Sequence, residues 1–160
     1  MNKLLYFIVV FILFFLVSCS ESSKNSKPIT KTKRELYRSA LTRQDSILSR
    51  KVVVTFLTHV QNEKYADAVM MLHKLNLDDP YATPELLDNN EIEETMKILK
   101  QFKIQSYSIT SIVYESAVNN PTRCTAFVQN GDDNPIRTTI ELNPVNYLGE
   151  WKLCFPITRD

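Results

Sequence analysis

Three residue types in this sequence can carry acid–base, nucleophilic or metal chemistry: histidine, cysteine and the carboxylates. His73 is the main candidate, because it lies on the inner face of a predicted helix over 63–73, at helical spacing from Val69 and Met70. A histidine there can act as a general base, since burial and neighbouring groups adjust its pKa. It can equally lie in a core or at a helix end, where its ring bonds a terminal carbonyl. No second catalytic residue stands at a matching spacing, so no catalytic set is predicted around His73.

The remaining polar residues do not form a recognisable binding motif. Only Gly131 and Gly149 are present, which excludes both Gly-rich phosphate loops. The acidic pairs lack the EF-hand pattern, the histidines and cysteines lack zinc spacing, and there is no G-x-S-x-G serine motif. The formal net charge of +1 gives no electrostatic reason to expect nucleic-acid binding. We therefore expect no metal, no cofactor and no nucleic-acid partner.

Hydrophobic periodicity predicts helices in the first half of the chain and strands in the second. Apolar residues recur at three- and four-residue steps over 46–61, and a similar rhythm extends back to residue 34. A loop over 74–90 precedes a third helix, for which Asn90 and Glu93 resemble a capping box. Strands with a period of two are then predicted over 104–115, 123–129, 136–142 and 150–157. The expected fold class is α+β, with N-terminal helices packed on a four-stranded antiparallel meander that curves like a cone.

Two cysteines fall on the second and fourth predicted strands. Cys124 and Cys154 would be two strands apart, about 9–10 Å, whereas a disulfide needs Cα atoms within about 7 Å. We therefore expect two buried, unpaired thiols.

A pocket between the helices and the sheet would be lined by residues from both layers. Large side chains on the inner faces of the predicted elements are candidates for its walls. The same side chains can instead fill a core. The pocket candidates are Met70, His73, Phe127 and Trp151.

The N-terminus has the layout of an export signal. Lys3 precedes an unbroken apolar run over 4–17, which is shorter than the roughly 20 residues of a membrane-spanning helix. The following Leu16-Val17-Ser18-Cys19 resembles the lipobox of bacterial lipoproteins. The resemblance implies a signal peptide over 1–18, lipidation of Cys19 and anchoring of the chain in the cell envelope. Ser20 after the cysteine implies the outer membrane.

A basic segment separates this cysteine from the predicted domain. Residues 19–45 read as a polar tether, with no apolar residue able to start a core before residue 29. Residues 20–51 hold nine Lys and Arg against three Asp and Glu, whereas residues 52–160 hold nine against fifteen. The basic side chains could lie on anionic lipid headgroups or could simply be a solvated helix face, and the interleaved apolar residues favour the second interpretation.

Two short motifs resemble a known fold family. The segment Asn62-Glu63-Lys64-Tyr65-Ala66 and the later Gly149-Glu150-Trp151-Lys152-Leu153 resemble the helix junction and last strand of nuclear-transport-factor-2-like (SnoaL-like, cystatin-like) domains. The resemblance implies one such domain over 46–160. Because no catalytic set is predicted, we expect a non-catalytic module that binds an unknown protein or small molecule. The alternative is a small SnoaL-like isomerase, dehydratase or hydrolase with His73 as base, and an assembly or immunity partner is a third possibility.

Overall fold

The structure is a computed structural model that describes residues 31–129 and 134–156. The predicted signal peptide and Cys19 lie outside the described residues. The described helices are α1 (Lys33–Ala40), α2 (Arg43–Gln61), α3 (Tyr65–Val69) and α4 (Asn89–Leu99). The described strands are β1 (Leu72–Lys74), β2 (Glu85–Leu86), β3 (Lys103–Ile112), β4 (Thr122–Gln129), β5 (Ile136–Tyr147) and β6 (Glu150–Cys154). None of these helices combines the length and apolar character needed to cross a bilayer.

The α+β class is confirmed, but the sheet is larger than predicted. Strands β3 to β6 pair antiparallel in chain order, as the meander requires. The short strand β1 pairs parallel to β6, and β2 pairs antiparallel to β1. The result is a six-stranded mixed sheet in the order β2-β1-β6-β5-β4-β3, so the predicted count of four strands was wrong.

Two capped helices open the described chain. The Thr32 and Glu35 side chains cap α1 reciprocally, and Thr42 and Asp45 do the same for α2. Leu41 between them is extended, which ends the first helix after eight residues. The predicted helix over 46–61 is confirmed with a start at Arg43, and the rhythm back to residue 34 belongs to a separate helix.

The predicted helix over 63–73 was wrong in its second half. Helix α3 ends at Val69, and the chain then enters β1, which contains His73. Leu72 is buried there opposite Leu153 of β6, so strand pairing and core burial favour the extended conformation. The period of so short an apolar run does not distinguish a helix from a strand. As a consequence Met70 is 59% exposed rather than buried on an inner face.

Other boundaries also differ from the prediction. The cap of α4 is Asp88 with Glu91, two residues earlier than predicted. Strand β5 continues past its predicted end at residue 142 as far as Tyr147. A two-residue turn at Leu148 and Gly149 then joins it to β6.

The main core lies between one face of the sheet and the helices. Helix α2 contributes a stripe at helical spacing, and β4 contributes every second residue, so both elements bury one side. The central buried side chains are Val53, Phe56, Leu57, Val60, Cys124, Ala126 and Leu153. Full burial of a Leu or Val side chain contributes about 1.5–3 kcal/mol, so this contact orients α2 on the sheet.

A second, smaller cluster holds the loop over 113–121. Val118 packs on Val145 and Cys154 there. A buried amide pair supports it: the Asn143 Oδ1 accepts from the Asn120 N–H at 2.7 Å. The Asn143 Nδ2 donates to the Val118 carbonyl at 3.0 Å. The loop is therefore tied to β5 by buried hydrogen bonds as well as by apolar contact.

The expectation for the two cysteines is confirmed. Cys124 and Cys154 are both free and fully buried. Burial raises the pKa of Cys124 to about 11 and that of Cys154 to about 12. Strand β5 lies between their strands, which explains why they do not pair.

We expect both buried thiols to resist modification in the folded chain. At pH 8 a thiol with a pKa near 11 is ionised to only about one part in a thousand, and the thiolate is the reacting species. In a Cys19→Ser chain, reaction with an aromatic disulfide reagent should be negligible in buffer and should reach two thiols in guanidinium. A rapidly reacting thiol in buffer would contradict this assignment.

Candidate functional site

An open groove of about 540 Å³ runs beside helix α2. One wall is α2 and the other is the turn between β5 and β6, with Met71 at the side. Most of the lining side chains are apolar. The lining residues are Leu48, Lys51, Val52, Thr55, Met71, Leu148, Gly149, Glu150 and Trp151.

The turn at the groove has an unusual residue at its tip. Leu148 and Gly149 both have positive φ, 51° and 86°, which is the signature of a type I′ hairpin turn. Such turns favour Asn or Gly at the first position, and the left-handed conformation costs a residue like leucine about 1–2 kcal/mol. Leu148 is nevertheless 89% exposed. A large apolar side chain is thus held in solvent at the rim of an apolar groove.

Trp151 forms a fixed part of the groove wall. Its Nε1 donates to the Asp45 Oδ1 at 3.2 Å. Its ring meets that of Tyr114 edge-on, with centroids 6.2 Å apart and planes at 71°. The indole is therefore held in one orientation before anything binds.

Polar contacts behind Trp151 connect the groove to α1. The Tyr114 hydroxyl lies 2.7 Å from the Ser49 Oγ, and the Tyr114 carbonyl accepts from the Arg38 Nε at 2.9 Å. Arg34 forms an ion pair with Glu115 at 3.1 Å. Basic residues of the predicted tether thus contact the loop over 113–121.

Asp45 is held in its charged form by this arrangement. Hydrogen bonds from the Thr42 side chain and backbone, and then from Trp151, hold the pKa of Asp45 below its ordinary value. A lowered carboxyl pKa stabilises the fold above the unfolded-state pKa, and the stabilisation is lost as the pH falls through the folded-state value.

We therefore expect Trp151 fluorescence to change in acid before the chain unfolds. As the pH falls below the ordinary aspartate pKa of 3.8, protonation of Asp45 should weaken its bond to the indole and shift the emission. An Asp45→Asn chain keeps an oxygen acceptor but has no charge to titrate, so its emission should not respond over this range. Identical pH profiles for the two chains would contradict the role assigned to Asp45.

Opposite charges stand on the two walls of the groove. Lys51 is exposed on the α2 wall, and Glu150 is exposed on the turn wall. The Lys152 Nζ lies 3.8 Å from the Glu150 Oε2, at the long limit for an ion pair. The groove therefore has an apolar floor with one cation and one anion at its rim.

The four pocket residues predicted from sequence do not come together. Only Trp151 lines the groove, and none of the four lines the two smaller pockets of about 330 and 100 Å³ near Phe102. The His73 Nδ1 lies 3.1 Å from the Met71 carbonyl oxygen, within its own segment. Phe127 lies on the face of the sheet away from the main core, 42% exposed between buried neighbours.

Sequence reasoning missed most of the groove. Leu48 and Val52 belong to the apolar pattern over 46–61, which predicts a buried helix face, and Lys51 belongs to the basic segment over 20–51. A signal for Leu148 is present in the sequence, because an exposed leucine before glycine is unusual in a hairpin turn. The partnership of α2 with this turn depends on tertiary packing and has no local signature.

The side chains of the groove determine what chemistry the site offers. Within residues 31–129 and 134–156, no group of three or more His, Cys, Asp or Glu side chains is placed to hold a metal ion. What the groove provides is apolar surface, a fixed aromatic wall and two charged rim residues. Comparison with protein-family models, with curated proteins and with solved structures gives no match to this chain.

Proposed function

We propose that the chain is a membrane-anchored envelope lipoprotein, of the outer membrane, whose domain is a non-catalytic binding module. The groove beside α2 binds an apolar segment of a protein. The observation that carries this proposal is Leu148, a large apolar side chain kept 89% exposed and at positive φ on the groove rim. Backbone strain of this kind tends to collect at functional sites.

The openness of the groove favours a protein segment over a small molecule. Small-molecule sites bury most of the ligand in a concave, largely closed cavity. Here one helix and one hairpin turn leave a groove that is open along its length. Because Trp151 is already fixed by Asp45 and Tyr114, little side-chain freedom is lost when a partner binds.

We also propose that the domain over 46–160 is a variant of the nuclear-transport-factor-2-like fold. Its support is the order of helices before a sheet of long antiparallel strands, together with the Gly149-Glu150-Trp151 motif. The strands β1 and β2 are additions to the predicted meander. The order and pairing of the strands in an experimental structure will test this assignment.

The membrane anchor has a simple test. A Cys19→Ala chain should accumulate as an unprocessed precursor or leave the membrane fraction, because the acyl chains attached to Cys19 supply the anchoring. A Cys124→Ala chain is the matched control, since Cys124 is a buried free thiol, and it should remain with the membrane. Normal processing and membrane retention of the Cys19→Ala chain would contradict lipidation.

The groove itself is tested by photocrosslinking in intact cells. A photoreactive aromatic ketone at position 148 keeps an apolar side chain at the rim, and the same residue at Phe127 probes an exposed control site on the sheet. We expect a discrete adduct of fixed mass from position 148 and none from 127. No adduct from 148, or the same adducts from both positions, would reject the groove as the binding site.

A further inference from the structure

We infer that the protein segment bound by the groove is the same groove of a second copy of this chain. This inference rests on the proposed function, because it names the occupant of the same site. Its basis is that the two walls carry opposite charges and that most of their other side chains are apolar. A two-fold axis running along the groove would place the α2 wall of each copy against the turn wall of the other, as an isologous interface requires.

The rim charges match under this symmetry. Lys51 stands on one wall and Glu150 on the other. The two-fold axis therefore turns the wall with Lys51 in each copy toward the wall with Glu150 in the other, so that opposite charges stand on facing walls. The weak contact of Glu150 with Lys152, at 3.8 Å, leaves the carboxylate free to take a second cation.

The apolar surfaces match as well. Leu148 projects from the turn wall, and the α2 wall offers Leu48 and Val52, which are only partly buried. Under the same rotation each Leu148 covers the α2 wall of the other copy. The apolar surface extends along α2 beyond the groove through Ile47, which is 50% exposed and lies one helical turn before Lys51.

The association is expected to be weak in dilute solution. The contact involves only one helix and one turn from each copy, whereas specific, stable interfaces bury roughly 1,200–2,000 Å². Anchoring both copies in one membrane would raise their effective concentration and favour the dimer.

The test uses the full chain in its own membrane, expressed as two copies with different tags. The photoreactive residue at position 148 should give an adduct of twice the chain mass that carries both tags. Lys51→Glu and Glu150→Lys should each lower its yield about fivefold to tenfold, because each creates two like-charge contacts. The double variant exchanges the pair and should restore the yield. Lys64→Glu, a reversal at an exposed site outside the groove, is the matched control.

The outcomes separate this inference from the proposed function. An adduct of another mass from position 148, or an adduct with lipid alone, would overturn the second-copy inference. A fixed-mass adduct with a different protein would overturn only the second-copy inference and would still support the groove as a binding site. No adduct at all would reject both. A two-tag adduct whose yield is unchanged by the charge reversals would overturn the symmetric pairing of Lys51 with Glu150.

Discussion

Replacing Leu148 by asparagine should make the chain more stable and less able to bind. Asparagine tolerates positive φ and forms the Asn-Gly pair that type I′ turns favour, so the free energy of unfolding should rise by about 0.5–1 kcal/mol. Loss of one large apolar anchor, about 1.5–3 kcal/mol of burial, should weaken binding tenfold to a hundredfold. Urea unfolding measures the first effect. The adduct yield of a photoreactive residue at Thr55, inside the groove, measures the second.

The matched control is Phe127→Asn. Phe127 is also exposed and apolar, but it lies on a strand outside the groove. We expect it to lower stability slightly, since asparagine fits a strand poorly, and to leave the Thr55 adduct unchanged. If Leu148→Asn left the adduct yield intact, the hairpin tip would have no binding role, and if it destabilised the chain, the positive φ of Leu148 would not be a source of strain.

Replacing Asn143 by alanine should have the largest effect on stability. Its side chain accepts from the Asn120 N–H and donates to the Val118 carbonyl in a fully buried site. Alanine leaves both of these groups unpaired away from water, at about 1–3 kcal/mol each, so the total loss should be about 2–6 kcal/mol. We also expect the loop over 113–121 to loosen, which would release Tyr114 from Trp151.

Denaturant unfolding and Trp151 emission measure these two consequences together. Asn143→Asp keeps the acceptor and loses the donor, so its loss of stability should be distinct from that of alanine and should vary with pH. Asn134→Ala, at an exposed site, is the control and should change stability by less than about 0.5 kcal/mol. A change that small for Asn143→Ala would show that the buried amide pair does not hold the loop.

Elements with a strong period were predictable from the sequence. Helix α2 and the four strands β3 to β6 have long apolar patterns, and their order follows from short connections. The strands β1 and β2 were not predictable, because they have three and two residues and exist through pairing with β6 and with each other. For this reason His73, which was predicted to lie in a helix, lies in strand β1.

The candidate site was less predictable than the fold. Trp151 was identified from the sequence as a pocket residue, but the other three predicted pocket residues do not line the groove. Met70 and Phe127 are exposed outside the groove. Leu148 lies between two predicted strands and was not identified as a site residue. Helical and strand periods indicate which side chains face a core, whereas a groove depends on where two elements leave space between them.

The most direct test of the groove uses a dye that binds apolar surface. Trp151 is the only tryptophan in the chain and lines the groove, so it can transfer energy to bound 8-anilinonaphthalene-1-sulfonate. Energy transfer should be measured for chains of residues 31–160 with the native sequence, Leu148→Asn or Phe127→Asn. We expect saturable transfer in the native and Phe127→Asn chains and its loss in the Leu148→Asn chain. Equal transfer in all three chains, or none in any, would contradict an apolar binding site beside α2.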